Sequence, residues 1–186
     1  MSERTGDATA AGSRELGGRG PGSRELGSRE LAAQIVGLLG ARHQTVAVAE
    51  SLTGGMLGAA ITAIPGASVV FRGGIIAYAT ELKAALLGVP AGLLASCGPV
   101  HPDVAAAMAA GARDRLGATF GVATTGVAGP DPADGKPPGT VHIAVSSGPQ
   151  SVTWDLALAG ARDEIRRDTV EQALGLLWSV LWEEDP

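Results

Sequence analysis

The fold of this chain is decided by the stretch Thr45-Val46-Ala47-Val48-Ala49-Glu50-Ser51-Leu52-Thr53-Gly54-Gly55. Its first six residues form a compact apolar run, which predicts a buried strand over residues 45–50. A helical pattern follows over 53–63 and stops before Ile64-Pro65-Gly66, so a strand, a glycine-rich turn and a helix are expected in succession. The backbone N–H groups at the start of such a helix would be free to meet a ligand.

A second turn of the same kind follows a predicted strand over residues 119–125. It reads Thr124-Thr125-Gly126-Val127-Ala128-Gly129-Pro130, again with hydroxyls followed by small residues. In open α/β sheets, ligands bind beyond the carboxyl ends of the parallel strands. The two turns therefore predict a single crevice, although neither matches a P-loop or a dinucleotide-binding fingerprint.

The rest of the chain alternates predicted helices and strands. Helices are predicted over 28–42 with Ser28 as N-cap, over 80–87 with Thr80 as cap, and over 90–96, 102–117 and 161–183. A strand is predicted over 71–78, and strands over 140–146 and 151–158 are expected to form a hairpin around a turn containing Gly148-Pro149. This order indicates a layered α/β domain whose sheet is mixed because of the hairpin.

Composition limits the classes of function. The 186 residues suit one domain, and a net charge of −5 argues against a nucleic-acid binder, which needs a basic surface. The sequence contains no run of about 20 apolar residues, so no membrane span is predicted. The opening Met1-Ser2-Glu3-Arg4 lacks the apolar core of a secretory signal. The one cysteine, Cys97, fits a reducing compartment and is more typical of a buried thiol than of a nucleophile. We therefore expect a cytoplasmic protein.

Residues 1–27 differ from the rest of the chain. They are rich in Gly, Ser, Arg and Glu, and the motif Ser-Arg-Glu-Leu occurs at 13–16, 23–26 and 28–31. A segment this poor in large apolar residues cannot offset its ordering entropy, so disorder is predicted over 1–27 and a folded domain over 28–186.

Ser51 would need a base in order to attack an amide. Lys83 is the best candidate, because it lies early in the helix after the 71–78 strand and a lysine in a low-dielectric cleft loses its charge more readily. Tyr78, the only tyrosine, ends that strand and could bridge Ser51 and Lys83 by a hydrogen bond. The spacing leaves open that Ser51 only caps a helix and that Lys83 is a solvated helix residue. The three histidines, His43, His101 and His142, fit surface or structural positions better than a catalytic triad.

Several ordered blocks carry a resemblance to a known family. They are Ala49–Gly55, Ile64–Ser68, Phe71–Tyr78, Lys83–Val89, Thr125–Pro130 and Gly139–Val141. From about residue 28 to 183 the chain resembles the CinA C-terminal domain family, whose stand-alone members include nicotinamide mononucleotide (NMN) deamidases.

The resemblance implies a three-layer α/β/α sandwich with a mixed, mostly parallel sheet, and hydrolysis of NMN to nicotinate mononucleotide and ammonia. It implies Ser51 as the nucleophile, Lys83 as its base, Tyr78 as a partner in that network and Thr125 near the carboxamide. The residues implied for the nucleotide site are Thr53, Gly54, Gly55, Arg72, Gly126 and Gly129, with Arg166 or Arg167 for phosphate. No metal or cofactor is implied, and the apolar, alanine-rich helices make a homodimer or another homo-oligomer the expected assembly.

The chain departs from the family pattern in three places, one of which is Gly98-Pro99-Val100-His101, where the family often has a small-residue loop and then Ser. The family's Tyr-Ser-Asn-Glu-x-Lys is replaced by Tyr78-Ala79-Thr80-Glu81-Leu82-Lys83, which keeps the catalytic spacing. The loop 131–135 replaces a glycine-richer stretch, which affects the phosphate and ribose contacts more than the chemistry. Two alternatives stay open at this stage: a non-catalytic module that binds a nucleotide or a partner, and a serine hydrolase that acts on another small amide.

Overall fold

The computed structural model of the chain describes residues 27–148 and 151–183. The strands in these ranges are β1 (Val46–Glu50), β2 (Phe71–Ile76), β3 (Phe120–Gly126), β4 (Thr140–Ser146) and β5 (Ser151–Ala157). The helices are α1 (Ser28–Ala41), α2 (Met56–Thr62), α3 (Ala67–Val70), α4 (Thr80–Leu87), α5 (Ala91–Cys97), α6 (Pro102–Leu116) and α7 (Arg162–Glu183). The disorder predicted for the N-terminal segment concerns residues 1–26, which lie outside the described residues.

The strands form one sheet in the order β2-β1-β3-β4-β5. β1 pairs in parallel with β2 and with β3, whereas β4 is antiparallel to β3 and to β5. β1, β2, β3 and β5 therefore run in one direction and only β4 opposes them, while the pairings divide equally into two parallel and two antiparallel. The carboxyl ends of these four strands lie along one edge of the sheet, which is where an open α/β sheet binds its ligands.

Helices cover both faces of the sheet, which confirms the predicted α/β class and its mixed sheet. Because successive residues of a strand point to opposite faces, Val46 and Val48 pack under α1, α2, α3 and α7, whereas Ala47 and Ala49 face α4, α5 and α6. The second face is lined mainly by alanine, which lets α6 approach closely. A Cβ on Gly121 would stand 1.9 Å from the carbonyl oxygen of Ala109, so the absence of a side chain at Gly121 sets the close spacing between β3 and α6.

Several predicted element ends were wrong. Gly27 and Ala79 occupy the N-cap positions of α1 and α4, so Ser28 and Thr80 lie inside the first turns of these helices. No side-chain hydrogen bond caps the N-terminus of either helix. β2 ends at Ile76 and the short helix α3 was not predicted. The predicted hairpin is confirmed by the β4–β5 pairing, although residues 149 and 150 of its turn lie outside the described residues.

The predicted helix over 53–63 begins only at Met56, and 52–55 form turns. Gly54 and Gly55 have φ angles of 59° and 103°, a region that side-chain-bearing residues rarely adopt. The backbone path of the turn therefore accounts for this glycine pair without the close approach of a ligand.

Within the described part of the chain, no helix combines the length and the apolar character that crossing a membrane requires.

Candidate active site

Ser51 and Lys83 meet at the carboxyl edge of the sheet. Ser51 follows the last residue of β1, and its N–H donates to the carbonyl of Thr124 at 3.0 Å, which anchors it beside β3. The Lys83 Nζ donates to the Ser51 Oγ and to the Ala77 carbonyl, both at 2.9 Å. Two acceptors thus fix the direction of the amine, and the predicted serine–lysine pair is present as a direct contact.

Burial makes Lys83 an unusual lysine. Its side chain is 1% exposed and is among the largest fully buried side chains of the described residues. Desolvation disfavours the ammonium form and lowers the pKa of Lys83 from 10.5 to about 8, although the charge of Asp134 opposes this shift. An amine with this pKa is about one-tenth deprotonated at pH 7, so a base able to accept a serine proton is populated near neutrality. The interpretation of Lys83 as a solvated helix residue was wrong.

The start of α2 is occupied by a carboxylate from the chain itself. Glu50 is 1% exposed, and its Oε2 accepts from the N–H groups of Gly55 and Leu57 at 2.9 and 3.1 Å. Its Oε1 accepts from the N–H of Gly58 at 2.8 Å. The expectation that these N–H groups face the crevice was therefore wrong. Glu50 satisfies the donors that a helix N-terminus leaves unpaired, and so it fixes the turn that carries Ser51.

Replacing Glu50 with glutamine is expected to lower the free energy of unfolding by about 1–3 kcal/mol, because the amide retains one acceptor oxygen where the three N–H groups at the start of α2 need two. Urea denaturation compared with the wild type measures this loss. Glu171→Gln, at an exposed position of α7, is the matched control and is expected to change stability little. Equal stability of the two variants would contradict the capping role of Glu50.

A cavity of about 200 Å³ opens over the serine–lysine pair. Its floor contains Ser51, Lys83 and Thr125, and its walls come from Pro99 and Val100, from residues 126–129, 131, 133 and 134, and from Arg162. Thr125 is 1% exposed and donates its hydroxyl proton to the Pro99 carbonyl at 2.7 Å. The two glycine-rich turns therefore face one crevice, as predicted, with Gly126 and Gly129 in the second of them.

Tyr78 lies in the cavity wall but takes no part in the serine–lysine contact. Its side chain is 59% exposed, and its hydroxyl receives a hydrogen bond from Arg162 Nη2 at 3.0 Å. The predicted bridge through Tyr78 is not formed, because β2 has ended at Ile76 and Tyr78 already points outward from the sheet edge. Lys83 reaches Ser51 without an intermediary.

Arg162 is the residue that the sequence analysis missed. Its Nη1 donates to the Gly129 carbonyl at 2.7 Å, and its Nη2 contacts Tyr78, so the guanidinium joins two walls of the cavity. Among the described residues it is the only arginine that lines this cavity. The direction of β5 is the signal that could have found it, since this strand ends at the same sheet edge as β1 and the next helix starts there with Arg162.

Other predicted site residues lie outside the cavity. Arg72 stands near the amino end of β2, at the opposite edge of the sheet, and donates to the Leu116 carbonyl at 3.2 Å. Arg166 is engaged with the Leu52 and Thr53 carbonyls at 3.0 and 3.1 Å, so it braces the Ser51 turn from outside. The remaining residues that do not line the cavity are Thr53, whose hydroxyl contacts that of Thr124 at 2.7 Å, Gly54, Gly55 and Arg167.

None of the three histidines lines the cavity. His101 caps α6 by accepting from the N–H of Asp103. His142 is 8% exposed and contacts Asp155 at 2.7 Å; desolvation lowers its pKa, although Asp155 opposes the shift. Cys97 is half-buried at the end of α5 and does not line the cavity. In residues 27–148 and 151–183, no group of three or more His, Cys, Asp or Glu side chains could hold a metal ion.

Sequence comparison finds that this chain is similar to known proteins. The profile of the CinA C-terminal domain matches residues 28–181. A CinA-like protein of Frankia casuarinae is 54% identical over 151 residues, which make up 81% of this chain and 35% of that protein. A CinA-like protein of Anaeromyxobacter dehalogenans is 44% identical over 176 residues, or 94% of this chain and 43% of that protein. The chain thus spans less than half the length of these relatives.

Solved structures agree with the sequence comparison. The competence/damage inducible protein CihA from Agrobacterium tumefaciens has a TM-score of 0.80 and 36% identity, and the match covers 85% of this chain and 98% of that one. A competence-damaged protein (CinA) superfamily member from Enterobacter cloacae has a TM-score of 0.83 and 26% identity, covering 88% of this chain and 98% of that one.

Proposed function

This chain belongs to the CinA C-terminal domain family, and on that premise we propose that it hydrolyses the carboxamide of nicotinamide mononucleotide to nicotinate mononucleotide and ammonia. The observation that carries the proposal is the 2.9 Å contact between Lys83 Nζ and Ser51 Oγ on the floor of a cavity. A serine hydroxyl becomes a nucleophile when a neighbouring base takes its proton, and a desolvated lysine is such a base.

The first half of the proposed reaction forms an acyl-enzyme. Neutral Lys83 takes the proton of Ser51, and the serine oxygen attacks the carboxamide carbon to give a tetrahedral intermediate. Lys83, now protonated, returns the proton to the amide nitrogen, the carbon–nitrogen bond breaks, and ammonia leaves. The direct contact supports this route over one that passes through Tyr78.

The second half regenerates the serine. Water attacks the ester carbon and gives its proton to Lys83; the bond to the Ser51 oxygen then breaks as that oxygen takes the proton back. The product keeps its ribose and phosphate, and its new carboxylic acid group loses its remaining proton to solvent to give the carboxylate. A metal has no part in this sequence of steps.

The oxyanion of the tetrahedral intermediate needs a donor near Ser51. The N–H groups of Gly55, Leu57 and Gly58 are already held by Glu50, so they are not candidates. Leu52 lines the cavity directly after the nucleophile, and its backbone N–H is the candidate we propose. One donor of this kind typically contributes about 3 kcal/mol to transition-state stabilisation.

The test is to incubate the purified full chain with NMN and to measure ammonia and nicotinate mononucleotide together. Equal molar release of both products supports the proposal. Tight binding of NMN without either product would favour the non-catalytic binding module instead. Turnover of other small amides, but not of NMN, would favour a serine amidase of different specificity.

We propose that Arg162 binds the substrate phosphate, because a guanidinium fork pairs well with phosphate oxygens. Arg162→Gln is expected to raise KM for NMN by about tenfold, while the rate with nicotinamide riboside, which lacks the phosphate, is expected to change little. Steady-state kinetics with both substrates measures the difference.

Arg167→Gln is the control for this prediction, since Arg167 lies on the same helix, outside the cavity. An equal loss with the nucleotide and the riboside in Arg162→Gln would show that Arg162 shapes the cavity without binding phosphate.

A further inference from the structure

Two carboxylates line the cavity on the side of the 127–139 segment. Asp131 and Asp134 share this cavity with Ser51 and Lys83, and both aspartates are exposed. In the described ranges, neither side chain forms a hydrogen bond or an ion pair. We call these two residues the acidic wall. Its negative charge is left without a contacting partner at the place where substrate would bind.

The backbone holds Asp134 in a defined position. Asp134 and Gly135 have φ angles of 51° and 71°, and Ala133 and Lys136 exchange backbone hydrogen bonds of 3.1 and 2.9 Å around them. This is the pattern of a two-residue turn with both central residues left-handed, in which Asp-Gly and Asn-Gly are the preferred pairs. The turn therefore accepts either aspartate or asparagine, and it gives no reason for the charge.

The charge of Asp134 reaches the reacting groups, because it opposes the effect of burial on the Lys83 pKa. The basic residue Arg162 lies in the same cavity, on the wall formed by the start of α7. The cavity therefore combines an acidic side and a basic side around one serine. A ligand with a positive and a negative end matches such a cavity better than a purely anionic one.

We propose that the acidic wall, chiefly Asp134, selects substrates whose amide-bearing ring is positively charged. This inference rests on the proposed function. The nicotinamide ring of NMN is a pyridinium cation because its nitrogen bonds to ribose, and the carboxamide is attached to that ring. Binding with the carboxamide at Ser51 brings the cation into the cavity that the carboxylates line. Without them, the ring would face Lys83 and Arg162 with no protein counter-charge, which disfavours a cation in a low-dielectric site.

The experiment compares NMN with its reduced form, whose dihydropyridine ring is uncharged but keeps the carboxamide, ribose and phosphate. Steady-state kcat/KM is measured for both compounds with the wild type, Asp134→Asn and Asp131→Asn. Asp168→Asn, which removes an exposed charge on α7 away from this cavity, is the control. The reduced ring is intrinsically less reactive, so the quantity compared is the change within each compound from wild type to variant.

Asp134→Asn is expected to lower kcat/KM for NMN about fivefold to tenfold, as for one partly screened charge pair, and to change the value for reduced NMN by less than about twofold. Because asparagine suits the turn, the variant keeps the loop conformation. An equal decrease for both compounds, or no decrease for either, overturns the inference, and so does an equal effect from Asp168→Asn.

A binding measurement separates this inference from the proposed function. If the wild type releases no ammonia from NMN, the proposed function is wrong, but calorimetry on Ser51→Ala with and without Asp134→Asn still tests the wall. Preference for NMN over reduced NMN that is lost with Asp134→Asn supports the inference. Equal affinity for the two compounds, or binding of neither, overturns it.

Discussion

Replacement of Ser51 by alanine is expected to abolish ammonia release from NMN, with a decrease in kcat of about 10³-fold or more. The loss follows from the proposed covalent route, since Lys83 forms a hydrogen bond with no other hydroxyl in the described part of the chain. Binding should survive, because the remaining cavity walls are unchanged. Ammonia release and isothermal titration with NMN together measure both effects.

Ser96→Ala is the matched control for this experiment. Ser96 is exposed on α5, and among the described residues its hydroxyl contacts only two groups of the same helix, the Leu93 carbonyl and the Cys97 thiol. Its removal should therefore leave turnover at the wild-type level. A Ser51→Ala protein that keeps wild-type turnover would exclude Ser51 as the nucleophile and, with it, the serine–lysine route.

Replacement of Lys83 by methionine is expected to have two opposite effects. Turnover should fall about 10³-fold or more, because Ser51 loses the base that accepts its proton. Stability should rise by about 1–3 kcal/mol at pH 7, because a desolvated ammonium is replaced by an apolar side chain of similar length. Activity assays and urea denaturation of the same preparation test both parts.

The stability gain has a predictable pH dependence. The pKa of Lys83 is about 8 in the folded protein and 10.5 in the unfolded chain, so between these pH values the unfolded chain binds more protons than the folded one. Wild-type stability therefore increases through this window, and the penalty of burying the charge is complete only below pH 8. The advantage of Lys83→Met should shrink from pH 8 to 10.5 and vanish above it.

Lys136→Met is the control, since Lys136 is the only other lysine and does not line the cavity. Its removal should change neither turnover nor the pH dependence of stability appreciably. The contrary result is that Lys83→Met destabilises the protein at pH 7 by an amount that does not change with pH. That result would show that the two hydrogen bonds of Lys83 stabilise the fold more than the burial of its charge destabilises it.

Local patterns correctly predicted where a residue lies when its position depends on a single strand or helix. Ser51 directly follows an apolar strand and Lys83 lies one turn into α4, so sequence spacing predicted both positions. Arg72 shows where this reasoning fails. It stands in a block that resembles the family, yet the direction of β2 places it at the edge of the sheet opposite the cavity.

The α/β class and the two glycine-rich turns follow from the sequence alone, because periodicity and turn residues are local properties of the chain, whereas the contact between Ser51 and Lys83 remained a hypothesis at that level. The tertiary structure decided which groups face the cavity. The buried Glu50 carboxylate accepts hydrogen bonds from the helix N–H groups that were expected to meet a ligand. Arg162 and Asp134, which are distant from Ser51 in sequence, line the cavity. These contacts depend on strand direction and on the competition of buried polar groups for partners, and neither is encoded in a local pattern.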